Sequence, residues 1–209
     1  MEFNEYRGVR GLVLAEITDG ENYEAGEWQE LSGVQQVAVS KSESSESKFY
    51  DNAPRIVIDA EGADEITLVV SVLDNKTRAL IEGVEYDAKT DMLINTPKQR
   101  KYFALGYIGK KTNGVEEFNI CYKGKFTGGG ETHDTETDGT ESTNVEYTFT
   151  AIHTSAKIRT KADGTKTTAK SVKLPATKVT ELQIFGNFTA GKSTVKPLTP
   201  DEISALVTE

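Results

Sequence analysis

At 209 residues and a formal net charge of -9, the chain is long enough for one substantial hydrophobic core and shows no break in composition that would separate two. The acidic balance disfavours general binding to nucleic acid or anionic membrane, and no apolar run reaches membrane-spanning length. A single cysteine, Cys121, excludes an intrachain disulfide and reads as a small buried hydrophobe within a strand.

The opening, MEFNEYRG, lacks the basic and apolar regions of a secretory leader, which predicts manufacture and use in the cytoplasm. Gly11 to Thr18 (GLVLAEIT) reads as a first strand that Asp19-Gly20 ends, and the acidic Glu21 to Glu30 stretch as a loop. Val37 and Val39 begin a strand that runs into KSESSESKFY, a polar run with little to bury. In isolation that run is a solvated loop. As a long hairpin arm it would gain its second face only in an assembly. Arg55 to Ala60 returns as a strand.

Asp64 to Gly83 changes hydrophobic period halfway. Ile66, Leu68, Val70 and Val72 alternate as a central strand, and Asp74 then caps a helix over Asn75 to Glu82 that Gly83 terminates. It is the one helix expected to pack across the sheets. Met92 to Ile94 follows as a short strand. Tyr102 to Ile108 and Glu116 to Phe126 pair as a hairpin through Asn113-Gly114, with positive φ expected at both turn residues. Phe118, Ile120, Tyr122 and Phe126 are expected on one face, and Glu117, Asn119, Cys121, Lys123 and Lys125 on a wet one.

Thr127 to Thr143 is an acidic loop by composition, with Gly128, Gly129 and Gly130 as its flexible base and Glu131, Asp134, Glu136 and Asp138 as its charges. Asn144 to His153 alternates cleanly as the last core strand. Lys157 to Thr168 reads as a hairpin around Asp163-Gly164 and Val179 to Phe185 as a strand or docked arm. Thr199 to Glu202 is a capping box that starts a helix over Pro200 to Val207. The charge is segregated: Met1 to Ala60 carries twelve acidic and five basic residues, and Thr150 to Leu198 two acidic and nine basic. Opposite charge at two ends suits head-to-tail self-association. The tail's lysines lack interleaved aromatics, against a nucleic-acid site.

Three motifs have bland readings. Gly186 to Ser193 (GNFTAGKS) fits the phosphate-loop pattern, but Pro197 and Pro200 interrupt the helix that must follow and only sixteen residues remain after Ser193. Asp134 to Gly139 opens like a calcium loop and then departs from it, with Glu136 at the third position and Val145 at the twelfth. His133 and His153, the two histidines, have no nucleophile pattern around them. The sequence therefore predicts no enzyme, cofactor or metal site.

The Gly11 to Pro54 stretch with its SxSSESKFYDN run, the strand-to-helix unit at Asp64 to Gly83, KYFALGYIGKK and TNVEYTFTAI together resemble the major tail protein family of long-tailed, non-contractile bacteriophages. The resemblance covers Glu5 to His153. Phe49, Tyr50, Asp51 and Asn52 resemble a recurrent motif of that family. It implies a mainly β, sandwich- or barrel-like tail tube domain, with sixfold rings that stack around a lumen through which DNA leaves the capsid. Self-association, and contacts with tape-measure, tail terminator and baseplate proteins, are then the expected partnerships. The expected location is the virion tail, after synthesis in host cytoplasm.

The expected organisation is a β-domain over residues 1–156 and a basic hairpin, arm and short helix over 157–209, packed on that domain or on a neighbour. Four strands from each of six copies would close a water-filled barrel of roughly 24 strands with alternating residues facing the lumen. Glu43, Glu46 and Glu146 are the candidate lumen carboxylates, which would repel DNA and let it slide. The glycine-rich acidic loop is the candidate inter-ring contact. A cell-surface or pilus-like β-sandwich module, which should carry a secretion signal, is the alternative, and a nucleotide-binding protein built on Gly186 to Ser193 a remote one.

Overall fold

A computed structural model describes residues 4–31, 33–131 and 144–208. The first half runs β1 (Tyr6–Asp19), β2 (Tyr23–Ala25), β3 (Gln29–Glu30), β4 (Val34–Ser40), β5 (Glu43–Tyr50), β6 (Ala53–Glu61), β7 (Asp64–Val70), α1 (Asn75–Glu82), β8 (Glu85–Asp87) and β9 (Met92–Ile94). Then come β10 (Tyr102–Lys111), β11 (Glu116–Gly130) and β12 (Val145–Ala151). The rest is β13 (Arg159–Thr160), β14 (Lys166–Thr167), β15 (Ser171–Pro175), α2 (Glu181–Ile184), β16 (Phe188–Thr189), β17 (Lys192–Ser193) and α3 (Pro200–Thr208). The protein is mainly β, as its alternating patterns require, around one large antiparallel sheet.

The backbone of that sheet is β3-β1-β10-β11-β12-β7-β4. Long β11 branches it: residues Glu117 to Cys121 pair with β15, and Gly124 to Gly130 pair with β12 on the same side. One core fills the inner face of the sheet, which curls far enough for β4 to come near β1. Leu12 and Leu14 of β1 meet Phe103 and Leu105 of β10, Ile66 and Leu68 of β7, Phe126 and Phe149 there, and Ile81 of α1 closes the end. A second core lies on the opposite face of β1, β10 and β11, beneath the C-terminal segment. Trp28, Phe118, Ile120 and Tyr122 pack there against Ile158, Leu174, Ile184, Phe185 and Ile203.

This arrangement corrects the expected wet face of β11. Glu117, Asn119, Cys121 and Lys123 are all buried. The pairing register shifts between Leu105↔Cys121 and Phe103↔Gly124, so three residues of β11 span two of β10. Such a bulge reverses the inside-outside alternation. Phe126 consequently joins the first core while Phe118, Ile120 and Tyr122 stay in the second. In β1, Gly11 at φ 61 sits at a second register shift, between Arg10 and Val13.

Local signals place α1 within its expected bounds. The Asp74 carboxylate accepts the Thr77 amide at 3.1 Å, and Gly83 at φ 70 ends the helix. Helix α3 likewise starts on the Thr199–Glu202 box. The expected strand at Val179 to Phe185 is instead α2, so the described residues hold three helices in place of one packed helix with a terminal one. Thr180 and Gln183 form a reciprocal capping box there, and this local hydrogen bonding wins over a short apolar run. At the β10–β11 turn only Gly114 has positive φ. The expected loop from Thr127 begins later, because Thr127 to Gly130 still pair with β12.

Candidate functional site

Two surfaces stand out because the fold does not use them. The first is the β5–β6 hairpin, whose strands, among the described residues, pair only with each other. Its tip is Asp51 at φ 51 and Asn52 at φ 58, the two consecutive left-handed residues of a type I′ turn that polar Asp and Asn tolerate. The polar strand β5 faces an apolar return strand. Ile56, Val57 and Ile58 are consecutive, so they project to both faces of the ribbon, and each is about half exposed; Phe49 and Tyr50 at the tip are 68% and 55% exposed. An isolated two-stranded ribbon is marginally stable in water. Full burial of one such aliphatic or aromatic side chain contributes about 1.5–3 kcal/mol.

The root of this arm is anchored. The ammonium of Lys170, from the segment before β15, is buried and reaches Asp64 Oδ1 at 3.1 Å, the Gly62 carbonyl at 2.9 Å and Glu61 Oε1 at 2.5 Å. His153 Nε2 lies 3.5 Å from the other Glu61 oxygen and its Nδ1 3.5 Å from the Thr168 hydroxyl. These contacts tie the arm's root to the segment before β15; the one hydroxyl placed beside the histidine among the described residues, Thr168, lies at the long limit of a hydrogen bond.

The second surface is the outer face of β4, β7, β12 and the end of β11. Its registers align three rows across four strands: Ser40, Glu65, Thr150, Lys125; Ala38, Thr67, Thr148, Thr127; and Gln36, Val69, Glu146, Gly130. None of these is buried, whereas the alternate residues Ile66, Leu68, Tyr147 and Phe149 fill the first core. The C-terminal segment covers the outer face of the other half of the sheet and leaves this half bare. The rows are mostly polar, with Ser40, Ala38, Thr67, Thr148, Thr150, Thr127 and Gly130 as their short members. Alternation in β7 and β12 predicts outward Glu146, Thr148 and Thr150, but the row they share with β4 and β11 depends on cross-strand register.

Of the candidate lumen residues, Glu146 lies on this bare face. Glu43 and Glu46 do not: both are exposed on the arm, on opposite faces of the ribbon, Glu43 across from Glu61 and Glu46 across from Ile58. Glu46 also pairs with Lys48 at 2.5 Å. The arm leaves β7 at Asp64, while Glu146 is paired near the other end of that strand, at Val69. The three carboxylates are therefore not one cluster.

The expected loop divides similarly. Gly128 and Gly130 are strand residues, and a Cβ on Gly129 would come within 2.7 Å of the Tyr147 ring. They form a bulged strand end and not a flexible base. Glu131 is tied to α1 through Arg78. Asp134, Glu136 and Asp138 lie outside the described residues, as do His133 and the calcium-like stretch.

Gly186 to Ser193 is a turn followed by a two-stranded hairpin, β16–β17, with Ala190 and Gly191 at its tip. Lys192 and Ser193, where the helix would have to begin, are strand residues, α3 starts only at Pro200, and the Ser193 hydroxyl donates to the Phe185 carbonyl at 2.6 Å. That is not the strand-loop-helix geometry that cradles phosphate. Burial pushes the Cys121 thiol up to about 12, which leaves it protonated and inert. Among the described residues no His, Cys, Asp or Glu cluster is placed to hold a metal ion, and no helix is long and apolar enough to cross a membrane. No protein-family model and no characterised protein matches the chain.

Proposed function

We propose that this chain is the repeating subunit of a bacteriophage tail tube, a structural protein that stacks in rings around a lumen through which DNA passes. The observation that carries the reading is the β5–β6 arm, which holds Phe49, Tyr50, Ile56, Val57 and Ile58 exposed on a ribbon that pairs with no other strand among the described residues. Exposed apolar surface of this kind marks an interaction site, and an unpartnered ribbon invites pairing with another chain.

The bare polar face has a place in the same scheme. Side by side, copies of a four-stranded sheet close a wide barrel whose inward face must be wet, and short threonine and serine side chains suit a wall that DNA slides past. Across the three rows, Glu65 and Glu146 outnumber Lys125, so phosphate is weakly repelled and finds no basic stripe to hold it. Tape-measure, terminator and baseplate proteins are the partners that such a tube requires. The virion is its place of action.

Sedimentation and negative-stain imaging of the full chain over rising concentration test the proposal. Rings or tubes of uniform diameter are expected. A compact monomer under every condition, and in virions of its source, would overturn it.

A further inference from the structure

The arm and α1 leave opposite ends of β7: the chain enters that strand at Asp64 from the arm and departs at Val70 towards α1. At the α1 end lies a groove of about 930 Å³. Leu80, Val84, Pro97 and the Ala190–Gly191 turn contribute to its lining. Lys76 of α1 and Lys192 of β17 both line it. The groove's three lysines and three carboxylates cancel.

The geometry points to this groove as the receptor for the tip of the β5–β6 arm of a second copy. The inference rests on the tail-tube reading and names the contact that would join successive subunits. Three features favour that occupant. Eight residues of β5 extend roughly 26 Å at about 3.3 Å each, so the tip stands well clear of its own sheet. A knob at one end of a strand and a hole at the other make a head-to-tail contact, which repeats from copy to copy and does not close on itself as a two-fold contact would.

The chemistry also matches. Phe49 and Tyr50, the aromatics of the arm, would pack on Leu80, Val84 and Pro97 in a groove whose remaining lining is mostly polar, and a volume near 930 Å³ falls within the range of pockets that take a compact ligand. The arm carries five acidic and two basic residues between Glu43 and Glu61. A neutral groove does not repel it, and Lys76 and Lys192 offer partners to Asp51 at the tip.

Full-length protein with Tyr50→Cys and Lys76→Cys together tests the contact, since both positions are exposed and Cys121 is buried. Oxidation after assembly should give a covalent ladder of multimers, absent from the dilute monomer and from a control with Tyr50→Cys and Lys173→Cys. Asp51→Lys should raise the concentration needed for assembly about tenfold, equivalent to ~1.4 kcal/mol, and adding Lys192→Glu should reverse that. If tubes form but the tip–groove pair gives no ladder and the charge swap restores nothing, the groove is the wrong receptor and the tube reading stands. If no multimer forms under any condition, the tube reading falls and this contact with it.

Discussion

The Lys170 ammonium lies 2.5 Å from Glu61 Oε1, and through this bond the segment that covers the second core also holds the root of the arm. Lys170 is fixed by its other contacts: it reaches Asp64 and the Gly62 carbonyl, and its own backbone carbonyl accepts the Tyr122 amide at 2.9 Å. The arm is therefore positioned by residues more than a hundred positions later in sequence.

Release of this hinge by acid is the first prediction. Hydrogen bonding to Lys170, then its charge and His153, holds the Glu61 carboxyl below the usual carboxylate range. A group with a lowered folded pKa contributes its stabilisation above the unfolded value and loses it as pH falls through the folded one. Amides of β5 and β6 should therefore exchange faster below about pH 4. Glu61→Gln should give the same result at neutral pH with the melting temperature nearly unchanged, because Glu61 itself is exposed and the buried Lys170 keeps Asp64 and the Gly62 carbonyl as partners. Equal exchange in both proteins would show that the bond does not fix the arm.

Asp19 should matter far more to the fold. Its side chain is 1% exposed, accepts the Ser155 and Ala156 amides at 2.6 and 3.0 Å, and pairs with Lys123 at 2.7 Å. Burial acts to raise its carboxyl pKa; Lys123 and the two amides outweigh burial and leave it below the usual range. The stabilisation is present above the ordinary carboxylate pKa and disappears as pH falls through the lowered one. Asp19→Asn leaves Lys123 buried without its counter-charge and should cost about 3 kcal/mol in urea unfolding.

Gly124→Ala should destabilise by about 1–3 kcal/mol through overpacking. A Cβ there would sit 2.5 Å from both the Phe149 ring and the Thr150 carbonyl. Gly130→Ala, with nothing within 4 Å, should change stability by no more than about 0.5 kcal/mol. Thermal unfolding of the pair separates crowding at the β11 bulge from the general effect of replacing glycine.

Ala190 occupies the left-handed region at φ 51, where a non-glycine side chain costs roughly 1–2 kcal/mol and asparagine is better tolerated. Ala190→Asn should raise stability by about 0.5–1 kcal/mol. An unchanged urea midpoint would mean that the turn carries no strain worth relieving.

Glu146→Lys tests the proposed lumen. Tubes should still assemble, because the side chain is exposed and turned away from the core, while DNA release slows, more strongly at low salt. Release at the normal rate would remove the bare sheet face from the lumen.

Local chemistry alone determined much of this protein. Asp74 and Gly83 bound α1, Thr199 and Glu202 start α3, and alternation marks β7 and β12 as core strands, since caps and pleats act over a few residues of one segment. The polar run of β5 is compatible with a solvated loop or a hairpin arm, and its pairing with β6 decides for the arm. The tertiary structure decided what alternation cannot encode. A one-residue bulge in β11 sends Phe126 to a different core from Phe118, although their spacing is even. Thr180 and Gln183 turn a short apolar run into α2. The basic tail becomes the cover of a second core because Trp28, 156 residues before Ile184, donates its indole N–H to that residue's carbonyl at 3.1 Å. Which half of the sheet stays bare follows from that distant contact, since a strand's pattern records that one face is wet but not what comes to cover the other.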